Sequence, residues 1–198
     1  MAFMKRRKDS MDFKPDAKVS TWAKTSQLTA LQRLRLLKWT LYAAVIILSL
    51  VVQDVVMSQL NLLGGTTDLA VAVILLITVI EGTEAGSVFV LIASLFYYFS
   101  GSAPGAYCIA LITGLGILAV MFRQLYWHRS KGSIVLCAAI ALMAYEVGLF
   151  AVGLFEELTL LSYIGSFLLT GIYSCATLLA YYPLIYKIGL IGGNTWKE

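Results

Sequence analysis

The sequence predicts an all-α membrane protein, a bundle of six transmembrane helices with both ends of the chain in the cytoplasm. Composition and the distribution of positive charge carry this prediction. Of the 198 residues, 60% are apolar and only 13% are charged, whereas charged residues make up about 25% of a typical soluble domain. Long apolar runs alternate with short polar turns, and six crossings would place every Lys and Arg on one side of a membrane.

The positive charges are concentrated in three places. Ten Lys and Arg residues precede Thr40, and the other five lie in one loop and in the carboxyl-terminal tail: Arg123, Arg129, Lys131, Lys187 and Lys197. Cationic residues beside membrane spans stay on the cytoplasmic side. The chain is therefore expected to cross a membrane an even number of times, with a cytoplasmic basic face at Arg123, Arg129 and Lys131. Anionic lipid rather than nucleic acid is the expected counter-ion.

Three regions follow from this pattern: a basic leader over 1–38, a transmembrane domain over 39–188 and a short cytoplasmic tail over 189–198. Within the leader, leucines recur at helical spacing among basic residues from 20 to 38. This pattern predicts an amphipathic helix that lies in the headgroup region before the first span. The alternative is that the same residues extend the first span into the cytoplasm.

Six apolar segments are candidates for spans, because about 20 helical residues cover the hydrocarbon thickness. They are 39–57, 69–80, 87–99, 106–122, 134–155 and 160–186. The second and third are short, so 69–99 could instead enter the membrane and return on one side, which would leave the later topology unchanged. Glu81 and Glu84 favour two full crossings, since carboxylates in a cytoplasmic turn would meet water, whereas the tip of a re-entrant loop would bury them.

Two acids inside apolar runs are candidate contacts for a partner or ligand. Asp54 and Glu146 are expected in the periplasmic half of the bilayer, and no Lys or Arg within a predicted span can pair with them. An ionisable residue at such depth is a functional-site hypothesis. Each carboxyl is protonated and bonded to a neighbouring helix, in contact with a partner subunit, or part of a substrate or proton site. Suggested local partners are Gln53, Gln59 and Tyr145.

The other reactive residues have simpler interpretations. Asp68 precedes an apolar run and is expected to cap the helix that follows. Cys108, Cys137 and Cys175 lack metal-ligand spacing and are interpreted as small packing residues. His128 is the one histidine of the sequence and lies in the basic loop. With no recognisable catalytic set, the sequence predicts neither an enzyme nor a cofactor or metal.

Several segments resemble a known family in their order along the chain. They are Thr67-Asp68-Leu69 followed by AVAVILLITVIEG, then EAGSVFVLIASLFYYFSG, then Ser102-Ala103-Pro104-Gly105, and finally LLAYYPLIYKI. This order resembles the bacterial rod shape-determining protein MreD family over about residues 39–188. Thr67 replaces the family's usual proline and Tyr98 stands where its aspartate would be, so Asp68 is the acidic position that matches, and it is the third candidate contact for a partner or ligand.

The resemblance implies a non-enzymatic inner-membrane scaffold of the cell-elongation machinery, which controls cell shape and peptidoglycan synthesis. Its expected partners are an MreC-like protein, MreB, RodA and a class B penicillin-binding protein. The implied fold is similar to substrate-binding subunits of energy-coupling-factor transporters. The alternative function is therefore a vitamin-binding subunit of such a transporter, with Asp54 and Glu146 as ligand contacts. Against that alternative, Ala43 and Ala44 are adjacent rather than four apart, so the first span lacks a small-residue docking motif.

Overall fold

The apolar segments form α-helices, in which the backbone satisfies its own hydrogen bonds as a lipid environment requires. A computed structural model describes residues 30–55, 67–126, 131–156 and 159–191. Its helices are α1 (Ala30–Val55), α2 (Leu69–Phe99), α3 (Tyr107–Tyr126), α4 (Lys131–Phe155) and α5 (Ile164–Gly189), with a 3-10 turn at Leu161–Tyr163. Five helices in this part of the chain are long and apolar enough to cross a membrane, as in a multi-pass membrane protein.

Helix α2 is interrupted at Gly82, where the chain reverses. Gly82 has φ 86° and ψ −172°, a combination that essentially only glycine adopts. A Cβ at Gly86 would lie 2.5 Å from the backbone carbonyl oxygen of Thr78, although eight residues of continuous helix would separate the two by about 12 Å. The halves 69–81 (α2a) and 83–99 (α2b) therefore fold back on each other as a helical hairpin.

The first half of this hairpin is the centre of the bundle. Residues 69–80 are apolar apart from Thr78, and every one of them is buried. Helix α2 contacts all four other helices, while α5 contacts α1 and α4, and α4 contacts α3. The helices around α2a include its own second half. Helix α2b packs on α1 through Phe89 and Trp39, whose aromatic ring centroids lie 5.7 Å apart. It meets α3 where the hydroxyl oxygens of Ser94 and Thr113 lie 3.0 Å apart.

The two ends of the bundle differ in charge. At one end, called the basic end, the Gly82 turn lies beside Lys38 of α1, and Gln124 of α3 donates a hydrogen bond to Thr83 Oγ1 at 3.0 Å. At the other, called the acidic end, the 100–105 turn lies near Asp54 and Asp68. The hairpin therefore runs the full depth of the bundle.

One expectation about the amino-terminal half is corrected. Residues 30–38 continue into α1 as one helix, as the alternative of an extended first span expects for them, while residues 1–29, with the rest of the predicted headgroup helix, lie outside the described part. Glu81 does not meet water, because the hairpin turn packs against α1 and buries its carboxylate on Lys38. Glu84 is exposed, as predicted.

Small residues permit close contact between helices at some positions and not at others. A Cβ at Gly171 would lie 2.7 Å from Met143 Sδ, so α4 and α5 approach closely there. At Gly114 of α3 the corresponding position has no heavy atom within 4 Å in the described part of the chain, so this glycine makes no close helix contact there. Cys108 and Cys137 are buried and Cys175 is half-buried, all with free thiols, in agreement with their interpretation as packing residues.

Candidate binding site at the acidic end

Asp68 lies immediately before α2, but its side chain does not cap the helix. Instead Gln53 of α1 places Oε1 2.9 Å from the backbone nitrogen of Ala70 and accepts its hydrogen bond. The backbone N–H of Asp68 donates to Ser174 Oγ of α5 at 2.9 Å. The capping prediction was wrong because a neighbouring helix supplies the acceptor. The Asp68 carboxyl is left to line a cavity.

Asp54 lies near the carboxyl-terminal end of α1 with an exposed side chain. Ser102 Oγ, in the turn between α2 and α3, lies 3.0 Å from Asp54 Oδ1 and 3.2 Å from Oδ2. This serine was not among the partners suggested by the sequence; of those, Gln59 lies outside the described residues. The contact fixes the turn against α1 and brings Asp54 next to the cavity that Ser102 also lines.

Glu146 is buried in α4, with only 2% of its surface exposed. Its Oε1 atom is buried and accepts no hydrogen bond from any residue that the structure describes. Gly171 of α5 allows this burial, since a Cβ there would lie 3.4 Å from Glu146 Cγ. A buried carboxyl oxygen without a partner is costly, so Glu146 is the part of this region whose hydrogen bonding is incomplete.

These acids surround a cavity of about 220 Å³ at the acidic end. It lies between α2, α4, α5 and the 100–105 turn. We call it the acidic-end cavity, and its lining is Asp68, Tyr97, Ser102, Pro104, Glu146, Leu149, Ser166, Phe167 and Thr170. Asp68 and Glu146 thus share one cavity, and Asp54 reaches its edge through Ser102. The three acids predicted from the sequence are brought together at one end of the bundle.

Asp68 is the acid of this cavity that lies outside the membrane-spanning helices. Burial raises the pKa of its carboxyl to about 6, because the protein surroundings solvate the charged carboxylate less well than water does. Its charge therefore changes close to neutral pH. The acidic-end cavity can therefore take up or release a proton at Asp68.

The hydroxyl groups of the cavity were missed by sequence reasoning. Ser166, Thr170 and Ser174 recur every four residues in α5, which places them on one face of the helix. Ser166 and Thr170 line the cavity, and Ser174 accepts the hydrogen bond from Asp68. The sequence signal for these residues is a row of hydroxyl side chains along one face of an otherwise apolar span.

At the basic end, the predicted cytoplasmic face is only partly described. Arg123 is half-buried and donates a hydrogen bond from Nη1 to the carbonyl oxygen of Val79. This carbonyl belongs to the last turn of α2a, where the helix leaves its own acceptors unsatisfied. Arg123 is therefore a structural cap of the hairpin as well as a cation. Arg129, His128 and the side chain of Lys131 lie outside the described part.

A second concave surface lies between α1 and α2b. This α1/α2b groove has a volume of about 460 Å³, and its lining is apolar apart from Glu84. Trp39 and Phe96 are among its larger residues, and Ala43, Ala85 and Ala93 are its small ones. Small residues let another helix approach closely.

In the described ranges, no group of three or more His, Cys, Asp or Glu side chains could hold a metal ion. Comparison of the chain with protein-family models, with curated proteins and with solved structures found no match. The geometry of the two concave surfaces is therefore the basis for a functional proposal.

Proposed function

We propose that this protein is a non-enzymatic, MreD-like scaffold of the bacterial inner membrane that docks an MreC-like partner of the cell-elongation machinery. The α1/α2b groove is the observation that carries this proposal. Its walls are two helices of the bundle, its lining is apolar, and three alanines keep it open. In lipid, helices associate through such small-residue contacts rather than through the hydrophobic effect.

Asp54 extends this docking surface towards the acidic end. Ile47 lines the groove, and Asp54 lies seven residues later, two turns along the same face of α1. A partner helix in the groove would end beside an exposed carboxylate, which gives its last turn a charged or polar contact. Glu146 is too deeply buried to take this part. The partner contact is thus assigned to Asp54 and not to Glu146.

In this proposal the chain crosses the inner membrane six times, with α2a and α2b as separate crossings and both termini in the cytoplasm. The basic end would then face the cytoplasm and the acidic end the periplasm. Helix α2a has 13 residues, about 20 Å of helix, which is shorter than the hydrocarbon core of about 30 Å. Burial inside the bundle accommodates this length, because its ends meet protein groups rather than lipid.

The alternative, a vitamin-binding transporter subunit, is favoured by one observation, the polar cavity at the acidic end. Its volume of about 220 Å³ is below the range of about 300–1,000 Å³ usual for drug-sized ligands. A vitamin would therefore require the cavity to enlarge. The scaffold is the better-supported function.

Purification of the tagged chain from its native membrane in mild detergent tests the proposal, with mass spectrometry of the proteins and small molecules that accompany it. We expect an MreC-like protein with the unaltered chain and its loss with Ala43→Phe, which fills the groove, and with Asp54→Leu. Ala44→Phe is the matched control, because Ala44 is an exposed neighbour in α1 that does not line the groove.

Two outcomes would contradict the scaffold. If Ala43→Phe and Asp54→Leu both retained the partner, the groove would not be part of the interface. Recovery of transporter ATPase subunits, or of a vitamin in stoichiometric amount, would replace the scaffold with the transporter subunit.

A further inference from the structure

The acidic-end cavity has a chemical character that docking of a partner helix does not use. Two carboxyl groups, Asp68 and Glu146, line a space of about 220 Å³, together with hydroxyl groups of α2b, α5 and the 100–105 turn. No Lys, Arg or His is among its lining residues. The cavity therefore offers hydrogen-bonding groups and two ionisable acids, with no cationic side chain in its lining to pair with them.

The incomplete hydrogen bonding of Glu146 indicates that the cavity binds a ligand. Its side chain is 98% buried, since 2% of its surface is exposed, and Oε1 has no hydrogen-bond partner among the described residues. Buried polar groups of folded proteins are almost always bonded. A donor from outside the chain would satisfy this oxygen, and a charged donor would also stabilise an ionised carboxylate.

The walls of the cavity limit the size and shape of that donor. The volume corresponds to about seven water molecules at about 30 Å³ each, which suits a compact organic group. Leu149, Pro104 and the ring of Phe167 form apolar parts of the wall. An aromatic face attracts a nearby ammonium, and the aliphatic surfaces accommodate short alkyl substituents.

We propose that the acidic-end cavity binds a small organic ammonium group, with the Glu146 carboxyl as its principal acceptor and Asp68 as the second acid. The site shares no lining residue with the α1/α2b groove, although its Ser102 is bonded to Asp54 of the docking surface. The ammonium belongs either to a free amine or to the headgroup of phosphatidylethanolamine. Exposed Pro104 and half-buried Ser102 and Ser166 form the mouth through which it enters.

Binding to the full-length protein in detergent tests this site, with ethanolamine and choline as free probes and calorimetry as the readout. A second arm places the protein in nanodiscs with and without phosphatidylethanolamine and detects retained lipid by native mass spectrometry. We expect Glu146→Gln to weaken ammonium binding about 10- to 100-fold, the effect of losing one hydrogen bond to a charged group. Glu156→Gln, an exposed acid just after α4 that lines neither the cavity nor the groove, is the matched control and should bind as the unaltered protein does.

Ser166→Phe supplies a second test that leaves Glu146 in place. The added ring fills the cavity from its mouth, so we expect loss of binding while the gel-filtration profile is unchanged. Binding of ethanolamine alone would identify a free amine as ligand, and retention of phosphatidylethanolamine alone would identify the lipid; both support the site. Absence of binding in both arms, equal binding by Glu146→Gln and Ser166→Phe, or equal binding of acetate would overturn it.

Discussion

Lys38 Nζ lies 2.6 Å from Glu81 Oε1, in an ion pair whose side chains are 4% and 1% exposed. The Tyr42 hydroxyl donates to the same carboxylate oxygen at 2.6 Å. Both donors belong to α1, whereas Glu81 is the last residue of α2a before the Gly82 turn. The pair therefore attaches the tip of the central hairpin to the first helix, at a depth where an unpaired charge would be costly.

Loss of one member of this pair should destabilise the fold strongly. Glu81→Gln leaves the Lys38 ammonium buried without its counter-charge, and breaking a buried ion pair costs about 3–5 kcal/mol. Thermal unfolding in detergent should show a large decrease in Tm. The double variant Lys38→Met/Glu81→Gln should recover most of that loss, because no charge then remains buried. Glu84→Gln, in the same turn but exposed, is the control; an equal decrease in Tm there would refute the electrostatic explanation.

Gly86 should be intolerant of a single added methyl group. In Gly86→Ala the Cβ would lie 2.5 Å from the carbonyl oxygen of Thr78, and a backbone atom inside a packed hairpin cannot move aside cheaply. Overpacking of this kind costs about 1–3 kcal/mol. Gly114→Ala is the matched control in α3, where the new methyl group meets no atom within 4 Å. Equal thermal stabilities of the two variants would show that the hairpin halves are less tightly packed than described.

Cysteine labelling should distinguish two full crossings of α2 from a re-entrant loop. Glu84→Cys and Ala106→Cys introduce thiols at exposed positions of the basic and acidic ends, and the unaltered chain gives the background from its three native cysteines. A membrane-impermeant maleimide should label Ala106→Cys in intact cells and Glu84→Cys only after the inner membrane is permeabilised. Failure of Glu84→Cys to react from either side would favour the re-entrant loop.

Asp68 should make stability depend on pH in a direction opposite to that of a typical surface carboxylate. Its pKa is raised from 3.8 to about 6, so the folded protein holds this proton more tightly than the unfolded chain. The stabilisation is complete below pH 3.8 and is lost as pH rises through 6, by up to about 3 kcal/mol. Glu146 of α4 and Tyr97 of α2b face the same cavity, so the comparison is between the unaltered protein and Asp68→Asn.

The measurement is the difference in free energy of unfolding between these two proteins across this pH range. As pH rises, the unaltered protein should lose stability relative to Asp68→Asn. A constant difference would mean that Asp68 titrates as it does in water. The same ionisation should strengthen ammonium binding above pH 6 in the unaltered protein and not in Asp68→Asn.

Much of the architecture could be predicted because the apolar runs are long and uniform. The break at residues 81–86 identified the hairpin turn, and the predicted spans agree with the helices over most of their length. The environment of α2a could not be read from its sequence. A segment that is apolar on every side suits either lipid or a bundle centre, and only the packing of the other helices distinguishes the two.

The acids were identifiable but their contacts were not. Asp54 and Glu146 are conspicuous in apolar runs, yet their partners depend on how each helix is rotated about its axis. Gln53 took the capping role expected of Asp68, and Ser102 bonded Asp54 across 48 residues of chain. Local pattern rules describe one helix at a time, whereas the cavity is formed by side chains from several.

The central position of α2a has a consequence for biosynthesis. Three of the helices that surround it, α3, α4 and α5, leave the ribosome after it does. The segment must therefore enter the membrane while its flanks still face lipid, and become enclosed only as later segments arrive. Its uniformly apolar surface suits both situations, so the translocon can release this helix early without waiting for its final neighbours.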